Sequence, residues 1–318
     1  MPRQILNRSS ATATPTARSR SVAVLGLVLA LVLSASSLVA CRGEEGATGE
    51  LPGLRPFVSA DATLLIDLTT VGSRDPELLN PVRLLVGGPM RRAGKDPFPS
   101  LDWVLAGRIG PQDFTSRIVA TGANAFVELG GVTFELGPER VARFRRQAEE
   151  GARRGKAVGF DPLLAVRQVT RGGTQKVAGA ETTRYSGQLD RGRLLDELLR
   201  VAAQGQAGQA ATGAAPAAAP ALSSTQRREL LEAFSDPEFS LNVAEDGTLR
   251  RVEVKLPFAI PPARRAEAQG ARGGEILYRV EYANVNGAQT IVPPSDAEPY
   301  EEFERELRKL LRRGDGAD

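Results

Sequence analysis

The chain has 318 residues, with 41 Lys and Arg against 38 Asp and Glu, no histidine and one cysteine. Four of the basic residues and none of the acids precede Cys41, which leaves 37 basic against 38 acidic side chains in the rest of the chain. A near-neutral domain argues against a nucleic-acid partner, which needs a basic patch. Without histidine or a second cysteine, we expect no metal, no cofactor and no internal disulfide.

Residues 1–40 have the organisation of a secretory signal peptide. A polar, arginine-containing segment comes first, followed by the uncharged run VAVLGLVLALVL at 22–33 and then by small residues. The run is shorter than the ~20 apolar residues that a transmembrane helix needs. A retained membrane anchor is the alternative interpretation of the same run.

Leu38-Val39-Ala40-Cys41 resembles a bacterial lipobox, the site at which a cysteine is acylated and becomes the first residue of the mature chain. The chemistry needs a thiol to take the diacylglycerol and small residues before it for the peptidase. We therefore expect a protein that is lipid-anchored through Cys41 on the extracytoplasmic face of a bacterial cell membrane. Residues 41–56 are rich in Gly, Glu and Pro and predict a flexible tether.

Alternation with period two begins at Phe57 and indicates β-strands. The stretches ATLLIDLTTV, PVRLLVGG, LDWVLAGRIG and DFTSRIVATGANAFVELGGVTFELG are read as an antiparallel meander with one apolar face. The side chains expected to point inward from this meander are Leu64, Ile66, Leu68, Trp103, Leu105, Phe126 and Phe134.

The second half of the chain predicts more hairpins. KVAGAETTRYSGQLD, at 176–190, reads as two strands with a tight turn, and Asp246-Gly247 is a favoured two-residue turn between two further strands. GEILYRVEYANV alternates again, and QTIVPP predicts a last short strand.

Helices are predicted at four places by capping signals and apolar stripes. Three of them start at Pro138, at Asp190 as a cap, and at Ser223, which forms a capping box with Gln226. The fourth is a C-terminal amphipathic helix within 298–318. Residues 204–222 are low in complexity and predict a disordered insertion.

Together these elements indicate the α+β class, with a large curved antiparallel sheet of about ten strands covered by helices. Residues 57–297 form the main domain, and we expect a monomer. Carboxylate pairs such as Glu149-Glu150 lie on predicted helix surfaces, and the sequence contains no phosphate-binding loop or nucleophile elbow. We therefore do not expect an enzyme. The helices either fill the concavity of the sheet or leave a cavity.

The order of these segments resembles the LppX/LprG-type envelope lipoproteins, whose fold is similar to the LolA-like lipoprotein carriers. The resemblance rests on Cys41, ANAFVELGGVTFELG, FDPLLAVRQVTRGGTQKVAGAETTRYSGQLD, FSLNVAEDGTLRRVEVKL and VNGAQTIVPP, over roughly residues 57–295. It implies an antiparallel half-barrel closed by helices, with an apolar cavity for the acyl chains of a lipid or glycolipid. A solid-core scaffold lipoprotein that acts through its surface is the alternative.

Overall fold

The computed structural model describes residues 52–74, 82–92, 99–109, 112–153, 160–211 and 222–313. The predicted signal peptide, Cys41 and the tether up to residue 51 lie outside the described residues. Within the described residues there are twelve strands, four α-helices and two short 3₁₀ helices, Pro162–Ala165 and Pro262–Arg264. The strands are β1 Ser59–Val71, β2 Val82–Arg91, β3 Ser100–Ile109, β4 Gln112–Ala120, β5 Ala125–Leu129, β6 Val132–Glu135, β7 Val166–Val177, β8 Ala180–Leu189, β9 Glu238–Ala244, β10 Leu249–Ala259, β11 Gly273–Ala283 and β12 Glu298–Pro299. The helices are α1 Pro138–Arg153, α2 Arg191–Ala211, α3 Ser224–Ala233 and α4 Tyr300–Arg313.

The twelve strands form one large, open sheet in the order β12-β6-β5-β4-β3-β2-β1-β11-β10-β9-β8-β7. Two meanders, β1 to β6 and β7 to β11, are joined at the middle of the sheet by the antiparallel pair β1 and β11. Every pairing is antiparallel except the two-residue contact of β12 with β6. The first and last long strands of the domain therefore hold the two meanders together.

The tight turns that connect neighbouring strands come from local sequence. Gly130 and Gly131 have φ values of +61° and +82°, the left-handed conformation that a two-residue turn between β5 and β6 requires. Asp246 caps the β9–β10 turn, because its Oδ1 atom accepts hydrogen bonds from the backbone N–H and the hydroxyl of Thr248.

The helices begin where their capping residues predict. Ser223 and Gln226 form a reciprocal capping box at α3, with hydrogen bonds of 2.9 and 3.2 Å. Asp190 accepts a hydrogen bond from the N–H of Arg193 at 3.0 Å at the start of α2. Gly137, at φ +83°, turns the chain from β6 into α1, which has Pro138 as its first residue.

The structure differs from the sequence expectations in two elements. Helix α2 continues to Ala211, eight residues into the stretch 204–222 that was predicted to be disordered; six of these eight residues are Ala or Gln, which favour a helix, against Gly205 and Gly208, which do not. Residues 212–221 lie outside the described residues. The predicted strand QTIVPP is wrong, since residues 289–294 lie outside the sheet and Val292 is exposed. Pro293 and Pro294 cannot donate to a strand ladder.

Candidate functional site

One face of the sheet is apolar across ten strands, and we call it the apolar face. Residues that pair directly across an antiparallel sheet point to the same side, so the register assigns each side chain to a face. One row of partners crosses the sheet as Tyr185, Leu241, Val252, Val280, Leu64, Val86 and Leu105. The next row contains Trp103, Ile118, Val127 and Phe134.

Six of the seven predicted inward residues lie on the apolar face: Leu64, Ile66, Leu68, Trp103, Leu105 and Phe134. The seventh, Phe126, was predicted to face the same way, and this is wrong. It pairs with Val119 and Glu135, which belong to the opposite face. The cause is that Phe126 and Val127 are both apolar, so alternation alone leaves the facing of β5 ambiguous by one residue.

The opposite face, which we call the polar face, carries charged pairs between neighbouring strands. Arg279 donates to Glu253 at 2.6 Å and Arg251 lies 2.9 Å from Glu281, each pair in direct register. Further pairs continue across the sheet: Asp67 with Arg83, Asp102 with Arg117, and Arg108 with Asp113. Partly exposed pairs contribute little stability each, but they show that this side of the sheet meets water along the central strands.

Burial on the apolar face falls from one end of the central strands to the other. At the tether end, defined by Phe57, Ala60, Met90 and Tyr282, every side chain is at most 4% exposed. At the open end, defined by Leu68, Val82, Phe258 and Ile276, these four side chains are only half-buried, while Leu256 of β10, which pairs with Ile276, is 4% exposed. The apolar face is therefore closed at one end and partly accessible at the other.

The half of the apolar face next to the tether end, which we call the closed half, leaves no room beside the side chains that fill it. Leu64 and Trp103 are 1% exposed, and Phe134 is fully buried. A side chain that lined a cavity wide enough for an acyl chain would present accessible area to it. Accessible apolar surface on the central strands is consequently found at the open end, where Leu68 is half-buried.

The segment from Phe160 to Ala165, which we call the plug, packs on the apolar face between these two halves. Phe160 is 3% exposed and meets Tyr278 edge to face, with ring centroids 4.9 Å apart. Burial raises the pKa of Tyr278 well above its ordinary value. Its hydroxyl has no hydrogen-bond partner among the described residues. Phe160, Ala165 and Leu194 belong to the same buried cluster as the central strands.

A partly buried ion pair on α2 holds the plug, with the Glu197 side chain 7% and the Arg200 side chain 22% exposed. The backbone N–H of Asp161 donates to Glu197 Oε1 at 2.9 Å, and Arg200 Nε donates to Glu197 Oε2 at 2.8 Å. Asp161 in turn accepts a hydrogen bond from the N–H of Leu163 at 3.0 Å. Burial raises the pKa of Asp161 to about 6, and the nearby Glu197 carboxylate adds to this rise. The plug is thus fixed by charged groups inside an apolar surface.

Sequence reasoning missed this ion pair. Glu197 lies on the same helix as the predicted stripe of Leu194, Leu195, Leu198 and Leu199, and it is 6% exposed. A stripe at helical spacing predicts burial of its leucines but says nothing of a glutamate between them. The available signal was the i, i+3 spacing of Glu197 and Arg200, together with the cap-like Asp161-Pro162 pair.

A surface groove of about 510 Å³ is lined by Ala180, Glu181, Ala244, Glu245 and Asp246, and its acids do not suit an acyl chain. Across the described ranges, three or more His, Cys, Asp or Glu side chains nowhere converge as a metal site would require. Among the helices of that part of the chain, none has the length and apolarity to span a bilayer.

No family model and no curated protein matches the sequence. Among solved structures, LprF from Mycobacterium bovis is similar at 12% identity and a TM-score of 0.35, over 85% of this chain and 97% of that one. Lipoprotein LppX from Mycobacterium tuberculosis is similar at 15% identity and a TM-score of 0.30, over 83% and 99%. A putative outer membrane lipoprotein-sorting protein domain from Vibrio parahaemolyticus follows at 8% identity and a TM-score of 0.18, over 90% and 98%.

The group that the sequence resembles, the LppX/LprG-type envelope lipoproteins, is named after two lipoproteins, and LppX is one of them. All three TM-scores lie below 0.5, so the strand order, register and burial of this chain itself carry the structural argument.

Proposed function

We propose that this chain is a cell-envelope lipoprotein, anchored through acylated Cys41, that binds the acyl part of a lipid or glycolipid on its apolar face. In this proposal the sheet is a LolA-like half-barrel, and the plug and α2 lie over part of its concave side. The observation that carries the proposal is the fall in burial from the tether end to the open end. An acyl chain that leaves a bilayer for such a surface loses little, because both environments are apolar.

The open end offers the right chemistry for an acyl chain. Leu68, Val82 and Ile276 pair directly across three strands and form a strip without polar side chains. Phe258 lies one row further out, and its ring reaches over Gly274, where an added Cβ would come within 2.8 Å of it. A ligand here would be recognised by shape and apolarity, with its polar head left in water.

A test compares two glutamate variants on adjacent strands. Leu68→Glu places a charge on the apolar face, whereas Leu85→Glu places the same charge on the polar face, where Leu85 is already 42% exposed. The binding of a fluorescent fatty acid and of lipids from cell extracts is measured by fluorescence and mass spectrometry. We expect Leu68→Glu to weaken binding about tenfold or more, since a buried charge opposes an apolar ligand, and Leu85→Glu to leave it unchanged.

The alternative is a scaffold lipoprotein with a solid core, and a specific observation favours it. Leu64, Trp103, Leu105 and Phe134, four of the expected cavity residues, are at most 4% exposed. If wild-type protein takes up no fatty acid and carries no extracted lipid, the lipid-binding proposal fails and this alternative stands. An enzyme is not proposed.

A further inference from the structure

We propose that the open end exchanges its lipid with an opposing membrane rather than with the membrane that anchors the protein. The inference rests on the proposed function, in which Cys41 carries the anchor and the apolar face binds an acyl chain. What it adds is a direction, and this direction follows from where the tether joins the sheet.

The chain enters the domain at the closed end of the apolar face. Arg55 donates its N–H to the carbonyl of Gly247 at 2.9 Å in the β9–β10 turn. Two residues later Phe57 packs edge to face on Tyr282, with ring centroids 4.9 Å apart. Val58 N–H then donates to Asn286 Oδ1 at 3.0 Å. The last residues of the tether and the first residues of the domain are therefore fixed to the tether end of the sheet at several points.

The open end lies at the other end of the same strands. β1 runs from Ser59 beside the tether to Leu68 and Val71 at the open end. At ~3.3 Å per residue, the nine steps from Ser59 to Leu68 span roughly 30 Å. The open end is separated from the tether by most of the length of the domain.

The tether is short relative to this distance. Thirteen residues separate Cys41 from Arg55, and the flexible tether predicted from the sequence would at that length have an end-to-end distance on the order of 20 Å. The tether end therefore stays near the anchoring bilayer, and the opening points away from it. For the open end to touch the anchoring bilayer, the domain would have to invert on a stretched tether.

The lone cysteine allows a direct test by reversal. The chain from Cys41 onward is coupled through this thiol to a maleimide phospholipid in vesicles. A second protein carries Cys41→Ser and Val71→Cys, which moves the anchor to the open end, where Val71 is 54% exposed. A photo-crosslinkable phospholipid is placed either in the anchoring vesicles or in a separate vesicle population, and labelled protein is counted after irradiation.

We expect the Cys41 anchor to favour labelling from the separate vesicles, and the Val71→Cys anchor to shift the ratio at least about fivefold towards its own vesicle. Equal ratios from both anchors, or a Cys41 anchor that favours its own vesicle, would overturn the inference. Labelling of the free protein in solution separates the two proposals. If only the free protein is labelled, the direction is wrong while lipid binding stands. If the free protein is not labelled either, both proposals fail.

Discussion

Phe160 and Tyr278 meet edge to face at an interplanar angle of 80°, and this contact divides the closed half of the apolar face from the open end. Tyr278 pairs with Ile66 on one side and Val254 on the other, so its ring lies in the middle of the central strands. The plug therefore covers the row of side chains next to the half-buried open end.

Phe160→Ala tests whether the plug is a fixed part of the core. Truncating a buried phenylalanine leaves a cavity, and we expect the free energy of unfolding to fall by about 3–5 kcal/mol in urea titrations. Leu164→Ala is the matched control in the same plug, because Leu164 is 57% exposed and its truncation should cost little. Equal losses for the two variants would contradict a packed plug.

The Glu197–Arg200 pair predicts an asymmetry between single and double variants. Arg200→Met leaves the Glu197 carboxylate buried without its charged partner, and we expect a loss of about 3 kcal/mol in stability. Glu197→Gln combined with Arg200→Met removes both charges but keeps an oxygen acceptor for the Asp161 N–H, so most of that loss should be recovered. A double variant no more stable than Arg200→Met would show that charge burial is not the cause. Urea unfolding of the three proteins measures this.

Asp161 predicts a pH dependence of opposite sign to that of Asp190. Since the folded state raises the pKa of Asp161 to about 6, its contribution to stability is full below the unfolded pKa near 4 and is lost as the pH rises through 6. The groups that act on it are Glu197, Arg200 and Tyr278. Asp161→Asn should therefore be more stable than wild type at pH 7.5, by about 2–3 kcal/mol, and equal to it near pH 4.

Asp190 provides the control because it caps a helix in the same way. The N–H of Arg193 donates to its carboxylate and lowers the pKa of Asp190, so its contribution is present at neutral pH and is lost on acidification. Asp190→Asn should be less stable than wild type at pH 7.5, with a difference that shrinks at low pH. Two variants that respond to pH in the same direction would refute the assignment.

Local sequence predicted the elements whose determinants lie close together in the chain. The Asp246-Gly247 turn and the Ser223–Gln226 capping box are set by residues at most three apart. The pairing of β1 with β11, which joins Leu64 to Val280, depends on residues more than 200 positions apart. A period-two pattern states that each strand has an apolar side but not which strand it pairs with. The order of the sheet therefore had to come from the structure.

The candidate site was predictable where alternation is clean and not where it is ambiguous. In β1, Thr63, Asp67 and Thr69 mark the polar side in spite of the apolar Leu65, and Leu64, Ile66 and Leu68 all lie on the apolar face. Phe126 precedes an apolar valine and was assigned to the wrong side. The gradient of burial and the Glu197 contact to the plug arise from packing between distant segments, for which the sequence has no periodic signal.

The contact of Phe303 with Phe134 predicts what holds α4 to the sheet. Their ring centroids are 5.6 Å apart, and the guanidinium of Arg140 lies 3.8 Å from the ring centre of Tyr300 beside them. Phe303→Ala should release the start of α4. Amide hydrogen exchange at residues 300–306 should then become faster than in wild type, with β11 as the reference segment. Glu301→Ala, which removes an exposed pair with Arg140, should leave the exchange nearly unchanged. Faster exchange in the Glu301 variant than in the Phe303 variant would contradict this account.

Acylation of Cys41 gives the last prediction, since the chain has no other thiol that could take a lipid. Wild-type protein from cells grown with a labelled fatty acid should carry the label. Its intact mass should equal the mass of residues Cys41 to Asp318 plus that of the acyl groups. Cys41→Ser should carry no label, whereas Ser37→Ala, four residues away, should be labelled like wild type. An unlabelled wild-type protein with the mass of all 318 residues would instead support the 22–33 run as a retained membrane anchor. In that case the anchor would remain but the tether would begin at residue 34, which lengthens it and weakens the directional argument for the open end.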